Sequence, residues 1–264
     1  MVINISENRL EEQRVLMKFI DENQYKLYWE QGYLAIEQFW ETEQADRVRE
    51  SLRKVANKDF SIMLNVDRDE DLENQSPDSD VYDRKVASKL VREVQLNKRM
   101  AGVLGELYRR EMVVVQSIII YKEKGTLFAD QAWNPHQDNS YVQSPNDMYI
   151  AVGYPLLEFS PENGGLYVYP GSHKEELLPM RPVEGARIKA GESPGNICEI
   201  PDQYEKKDIS LNKGDVFIMH GNLIHGSYSN HSDMSRPFLI TNYLPDGEFF
   251  LPGKTSNRQA ISLK

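Results

Sequence analysis

The sequence predicts a mainly β fold, a sandwich or jelly roll, with helices gathered on its N-terminal side. Three observations carry this expectation. Before about residue 110 the clearest apolar patterns, Val48-Leu52-Val55 and those of 86–110, recur at helical spacing. From 112 the spacing changes to two. Beyond that point short β-rich runs alternate with Gly, Pro and Asn turns. With 264 residues, 40% of them hydrophobic, the chain can bury one sizeable core. We expect a single domain over 1–264, with about 1–110 as mainly helical support and about 111–245 as the β core.

Taken in order, residues 1 to about 20 read as a short amphipathic helix or a flexible lead-in. Asp21-Glu22-Asn23-Gln24 opens a helix through Tyr25, Leu27 and Trp29, and Gly32 ends it. Tyr33–Ile36 reads as a short strand. Thr42 is an N-cap candidate for a helix whose buried stripe is Val48, Leu52 and Val55. Residues 59–85 are charge-dense and lack a sustained period, so a solvated loop is expected, with a mobile lid as the functional alternative. The acidic run there lacks the Gly and terminal Glu of a calcium loop. Residues 86–110 are helical through Val86, Leu90, Val91, Val94, Met100, Val103, Leu104 and Leu107.

Val113–Tyr121 is a rich β run, expected as a central strand. Met148, Ile150, Val152, Tyr154 and Leu156 alternate as another strand. Glu162-Asn163-Gly164-Gly165 signals a hairpin between that strand and Leu166–Tyr169. Residues 174–207 are broken by Pro and Gly and read as an irregular insertion, a second candidate border for a site. Ile209–Leu211 and Asp215–Met219 are strands joined by Asn212-Lys213-Gly214, and Pro237–Leu244 closes the β region.

Two separated segments carry the chemistry. His136-Gln137-Asp138 and His225 have the composition of a 2-His-1-carboxylate triad, which holds Fe(II) on one face and leaves the other open. If the first segment is a strand, His136 and Asp138 point to the same side. His225 is the natural third ligand from a neighbouring strand. Arg236, eleven residues on, offers the planar cation that a dicarboxylic co-substrate needs. Ser227 shares His225's strand parity, so its hydroxyl can support the same carboxylate. Trp133, Asn139 and Tyr141 flank the first ligand pair and are candidate substrate contacts. His173, His220 and His231 read as structural.

The ordered set resembles the phytanoyl-CoA dioxygenase family of Fe(II)/2-oxoglutarate oxygenases. A strand ends in Lys122, and His136-Gln137-Asp138 follows. Asn163-Gly164-Gly165-Leu166 then runs into Pro170-Gly171-Ser172-His173. Next come Gly214-Asp215-Val216, then His225-Gly226-Ser227 with Asn230, Ser232 and Arg236. The resemblance covers most of 25–245 and implies a double-stranded β-helix (jelly-roll, cupin-like) core. It implies His136, Asp138 and His225 as ligands of Fe(2+), with O2 as oxidant. It implies Arg236, Ser227 and Lys122 at the 2-oxoglutarate. Many members carry a Trp where this chain has Gly153, which reshapes a wall of the site. Family halogenases replace the carboxylate, so Asp138 favours hydroxylation, with desaturation and ring closure open.

The implied activity is hydroxylation of an unactivated C–H bond in a small metabolite such as an amino acid, phosphonate or natural-product intermediate. An acyl-CoA hydroxylase, a non-catalytic iron/2-oxoglutarate sensor and a Zn or Mn hydrolase are the alternatives. The net charge of -10 and pI of about 5.1 leave no basic face for nucleic acid. No apolar stretch approaches membrane-spanning length, and the first residues do not read as a signal peptide. With the lone cysteine, Cys198, a reducing, cytoplasmic location is expected. Oligomeric state is not legible.

Overall fold

The computed structural model describes residues 17–56, 63–66, 69–126, 129, 132–183, 195–253 and 258–263. The expected element before residue 17 lies outside these. Helix α1 (Glu22–Gln31) opens with Asp21 and Gln24 in a reciprocal capping box. It ends where Gly32, at φ 82, returns its N–H to the Tyr28 carbonyl. Strand β1 (Tyr33–Ile36) follows at once. Helix α2 (Thr42–Val55) starts one residue earlier than the cap motif suggested. Glu41 is the cap, no side chain closes it, and Thr42 is already helical.

The charged segment 59–85 is more ordered than its composition suggested. It holds β2 (Met63–Asn65), α3 (Asp69–Gln75) and the start of α4 (Val81–Gln95). Gln75 explains part of this: its amide accepts from the Asn65 N–H and donates to the Asn65 carbonyl, tying helix to strand. Asp80 caps α4. The 86–110 stretch is two helices, because Asn97 caps a new one, α5 (Lys98–Tyr108).

The β region forms two facing sheets. Strand β3 (Met112–Ile120) pairs on one side with β2 and β13 (Ile261–Ser262), and on the other with β12 (Phe238–Pro245). Beyond β12 come β5 (Ile150–Pro155), β10 (Val216–His220) and β1, all antiparallel. The smaller sheet runs β4 (Trp133–His136), β11 (His225–Ser227), β6 (Leu166–Val168), β9 (Lys207–Asp208). Strands β7 (Met180–Val183) and β8 (Gly195–Cys198) pair as a separate ribbon, so the expected irregular insertion contains a hairpin.

The expected hairpin at Glu162–Gly165 is a crossing between sheets. Strand β5 lies in the large sheet and β6 in the small one. The turn is held by Gly165 and Asn163 N–H groups donating to the Ser160 carbonyl. Strand β10 matches most of the expected Asp215–Met219 strand, but the expected Ile209–Leu211 strand is not formed: pairing with β6 falls earlier, at β9, and Leu211 makes an isolated bridge to Phe159.

Apolar alternation divides the core. Val114, Leu239, Tyr243, Val152 and Ile218 face the helices and pack with Val48, Leu52, Val91 and Leu104. Phe217, Met219, Phe238, Val168 and Leu211 fill the space between the sheets. The helices also dock through polar contacts: Gln95 donates to Ser117 Oγ at 2.8 Å, which donates on to Thr241. This is a jelly-roll, double-stranded β-helix core with helices on its outer face. No helix among the described residues is long and apolar enough to cross a membrane.

Candidate metal and co-substrate site

Strand β11 pairs antiparallel with β4, and His225 lies directly opposite His136. Asp138 reaches the same point by a different route from the one its spacing suggested. Strand β4 ends at His136, and Asp138 opens a 3-10 turn (Asp138–Tyr141). The chain bends there, so the carboxylate swings back toward the imidazoles. His136 Nε2 is 3.4 Å and His225 Nε2 3.7 Å from Asp138 Oδ1. One donor atom from each residue falls within 4.8 Å of the others.

Both imidazoles are committed in tautomer. His136 Nδ1 meets the Asn134 carbonyl at 2.7 Å, and His225 Nδ1 meets the Leu223 carbonyl at 3.0 Å. A carbonyl only accepts, so each Nδ1 carries the proton and each Nε2 keeps its lone pair for the shared point. Burial holds His225 down at about 4. Burial opposes a charge on His136 too, but the Asp138 carboxylate outweighs it and raises the pKa. For Asp138, burial is outweighed by His225, His136 and Arg258, leaving it at about 2. The set places a carboxylate and two imidazole Nε2 atoms around one point, a donor chemistry that fits a divalent metal, which binds in place of any proton on His136.

A buried amide network fixes the two ligand segments. Gln137, fully buried, donates to the Asn222 carbonyl and accepts from the Leu178 N–H. Asn139, also fully buried, donates to Asn222 Oδ1 and the Ser144 carbonyl and accepts from the Ser144 N–H. The Asn139 amide, expected as a substrate contact, is thus taken up by Asn222 and Ser144 and braces the turn that carries Asp138. His220 Nδ1 accepts the Asn222 N–H, and His173 Nε2 donates to the Trp29 carbonyl. Both histidines are buried, and His231 is exposed. Trp133 and Tyr141 stay beside the triad, their rings 6.3 and 6.1 Å from that of His136.

A second cluster lies next to the triad. Lys122, wholly buried, donates to Ser227 Oγ at 2.8 Å and to the Tyr228 carbonyl. Its backbone exchanges hydrogen bonds with Arg236. Arg236 is 2% exposed, with no salt bridge and an unpartnered Nε among the described residues. Its guanidinium lies 5.4 Å from the Phe159 ring and 5.8 Å from that of Phe238. Burial lowers Arg236 to about 9, and burial followed by Arg236 holds Lys122 well below its ordinary value. Two buried cations without a carboxylate are costly unless an anion joins them.

The aromatic pair was missed in the sequence. A Cβ on Gly153 would run into the Phe238 ring, so the glycine makes room for Phe238 to lie across β5. Phe238 then stacks on Phe159, centroids 4.6 Å apart, and both face Arg236. The wall that the missing Trp left open is filled from the neighbouring strand. Arg258 and Gln116 were missed as well. Nothing in their local sequence marks them, because tertiary pairing alone brings the two together.

Known proteins point the same way. The profile of the phytanoyl-CoA dioxygenase (PhyH) family matches residues 28–238. A probable alpha-ketoglutarate-dependent hypophosphite dioxygenase of Stutzerimonas stutzeri is 26% identical over 234 residues, 83% of this chain and 77% of that protein. A phytanoyl-CoA dioxygenase of Arabidopsis thaliana is 30% identical over 150 residues, 56% of this chain and only 50% of that protein. Several curated relatives are likewise matched over about half their length. Among solved structures, the epimerase SnoN in complex with Fe3+, alpha ketoglutarate and nogalamycin RO superposes with TM-score 0.65. It is 16% identical, covering 88% of this chain and 86% of that one, a likeness of fold.

Proposed function

The chain belongs to the phytanoyl-CoA dioxygenase family of Fe(II)- and 2-oxoglutarate-dependent oxygenases, and from that premise we propose that it hydroxylates an unactivated C–H bond of a small-molecule metabolite. The observation that carries this reading is the pairing of a pre-set metal triad with a buried, carboxylate-free Arg236. His136, Asp138 and His225 would hold the iron. Bound iron supplies the oxidative chemistry, using O2 and 2-oxoglutarate to functionalise the substrate.

The chain's own residues do the placing. Arg236 presents a planar fork to the distal carboxylate of 2-oxoglutarate. Phe159 and Phe238 give that fork an aromatic wall to rest beside. Lys122 adds charge and, through Ser227, ties the co-substrate end to β11. The Nδ1 contacts keep His136 and His225 from rotating. The apolar residues between the sheets keep water from the reacting centre. The relative named for hypophosphite supports a small substrate.

Anaerobic addition of Fe(II) and 2-oxoglutarate tests the reading. It predicts the visible charge-transfer band of a 2-oxoacid chelated to Fe(II), lost in Arg236→Met at matched 2-oxoglutarate. A protein that binds Fe(II) without ever giving that band would exclude it.

A further inference from the structure

The inner faces of β3 and β12 carry matched rows. On β3 the row is Gln116, Ile118, Ile120, continuing to Lys122; on β12 it is Asn242, Ile240, Phe238, continuing back to Arg236. Gln116 is the register partner of Asn242, and Ile118 of Ile240. Each row is polar at both ends and apolar between. Lys122 follows Gln116 by six residues, so the two polar ends lie ~20 Å apart along the strand. The Lys122–Arg236 end is assigned above. The other end has no role yet.

That end holds a cation. Arg258 donates through Nε to Gln116 Oε1 at 2.8 Å, and Gln116 is locked in turn by donating to Asn65 Oδ1 at 2.7 Å. Arg258 Nη1 donates to the carbonyls of Leu251 (3.1 Å) and Tyr141 (3.4 Å). The tail that delivers it is itself anchored. Leu251 N–H donates to the Val142 carbonyl, Gln259 N–H to the Val115 carbonyl, and β13 pairs with β3. Among the described residues no carboxylate pairs with Arg258 and no acceptor takes its Nη2. The guanidinium lies against the backbone carbonyl of Tyr141, whose ring is 6.1 Å from that of His136. Asn242, across from Gln116 on β12, is 4% exposed, and among the described residues its Oδ1 has no partner. Between the two ends Ile118, Ile120 and Ile240 are only partly covered, leaving an apolar floor.

We propose that Arg258, fixed by Gln116 and the tail, receives an oxyanionic group of the substrate, a carboxylate or a phosphonate, while Ile118 and Ile240 carry an apolar body beside the triad. This rests on the oxygenase reading above and names its substrate class. A cation held by neutral acceptors against the backbone of Tyr141, at the end of a partly covered apolar row, recognises an acid with a short carbon chain better than a neutral molecule.

Calorimetric titration of the full chain with hexanoate, hexylphosphonate and the neutral hexanamide tests it, with and without Fe(II) and 2-oxoglutarate under argon. At least one anion is expected to bind about tenfold or more tighter than hexanamide, and to weaken as salt is raised. Which anion prevails assigns carboxylate or phosphonate. Arg258→Gln is expected to lose that advantage, with hexanamide and 2-oxoglutarate affinities unchanged. Arg258→Lys, which keeps a cation, is expected to retain a preference for the anion and guards against misfolding of the first variant. Equal binding of amide and anions, no binding of any probe, or anion preference surviving in Arg258→Gln would overturn the proposal. If 2-oxoglutarate itself fails to bind, the oxygenase reading falls, while the arms without it still decide on Arg258.

Discussion

His225 lies directly across from His136 in the β11–β4 pair, their rings 4.4 Å apart with each Nδ1 bonded to a carbonyl two residues earlier. The site is thus built by backbone pairing before any metal arrives. We predict that His136→Ala or His225→Ala weakens Fe(II) binding by about 100-fold or more and abolishes 2-oxoglutarate turnover. Anaerobic metal titration and succinate release read this. Unaltered metal affinity in both variants would remove these residues from the site.

Arg236 is a buried charge awaiting a partner. Arg236→Met should therefore leave the ligand-free protein as stable or raise its stability by about 1–3 kcal/mol. The same variant should lose the rise in Tm that saturating 2-oxoglutarate gives the metal-loaded wild type. Thermal unfolding with and without 2-oxoglutarate separates the two effects. A marked loss of ligand-free stability would mean that Arg236 is already satisfied by the protein.

Gly153 tests the aromatic wall. Gly153→Ala pushes the Phe238 ring off β5 and loosens the surface on which Arg236 rests. The KM for 2-oxoglutarate should rise about tenfold, with kcat changing much less. An equal fall in kcat at unchanged KM would place the residue in the chemistry and not in co-substrate positioning.

Acid stability has a structural origin outside the triad. His220 is buried against Tyr28, Trp29 and His173, and burial holds it at about 3, below its ordinary 6.5. His173 is lowered too, by burial. The unfolded chain takes up these protons first. Stability is full above about pH 6.5 and falls as pH drops toward 3. For His220 alone the loss by pH 4.5 is roughly 2–3 kcal/mol. His220→Gln, which can still accept from the Asn222 N–H, should flatten urea-unfolding stability between these pH values. An unchanged slope would contradict the assignment.

Much of this was legible in the sequence because it is local. The Asp21 cap, the Gly32 stop, the period-two run of β3 and the His-x-Asp pair are each written within a few residues. The resemblance added the order in which the pieces occur. What was illegible depends on contacts distant in sequence. The Glu162–Gly165 turn has hairpin chemistry, yet it joins two sheets, because β5 finds its partners in β10 and β12. Asp138 reaches the triad through a turn and not through strand parity. Asn139 looked available beside the ligands, but Asn222 and Ser144 claim its amide. Phe238, Gln116 and Arg258 matter only because β12 and the C-terminal tail fold back onto β3 and β5.

The most direct measurement is the stoichiometry of gas and acid. Purified protein supplied with Fe(II), 2-oxoglutarate and O2 is followed for oxygen consumed and succinate formed. The account predicts one succinate per O2, abolished by chelating the iron and in Asp138→Ala. No 2-oxoglutarate consumption with any candidate substrate, or turnover that persists without iron, would contradict it.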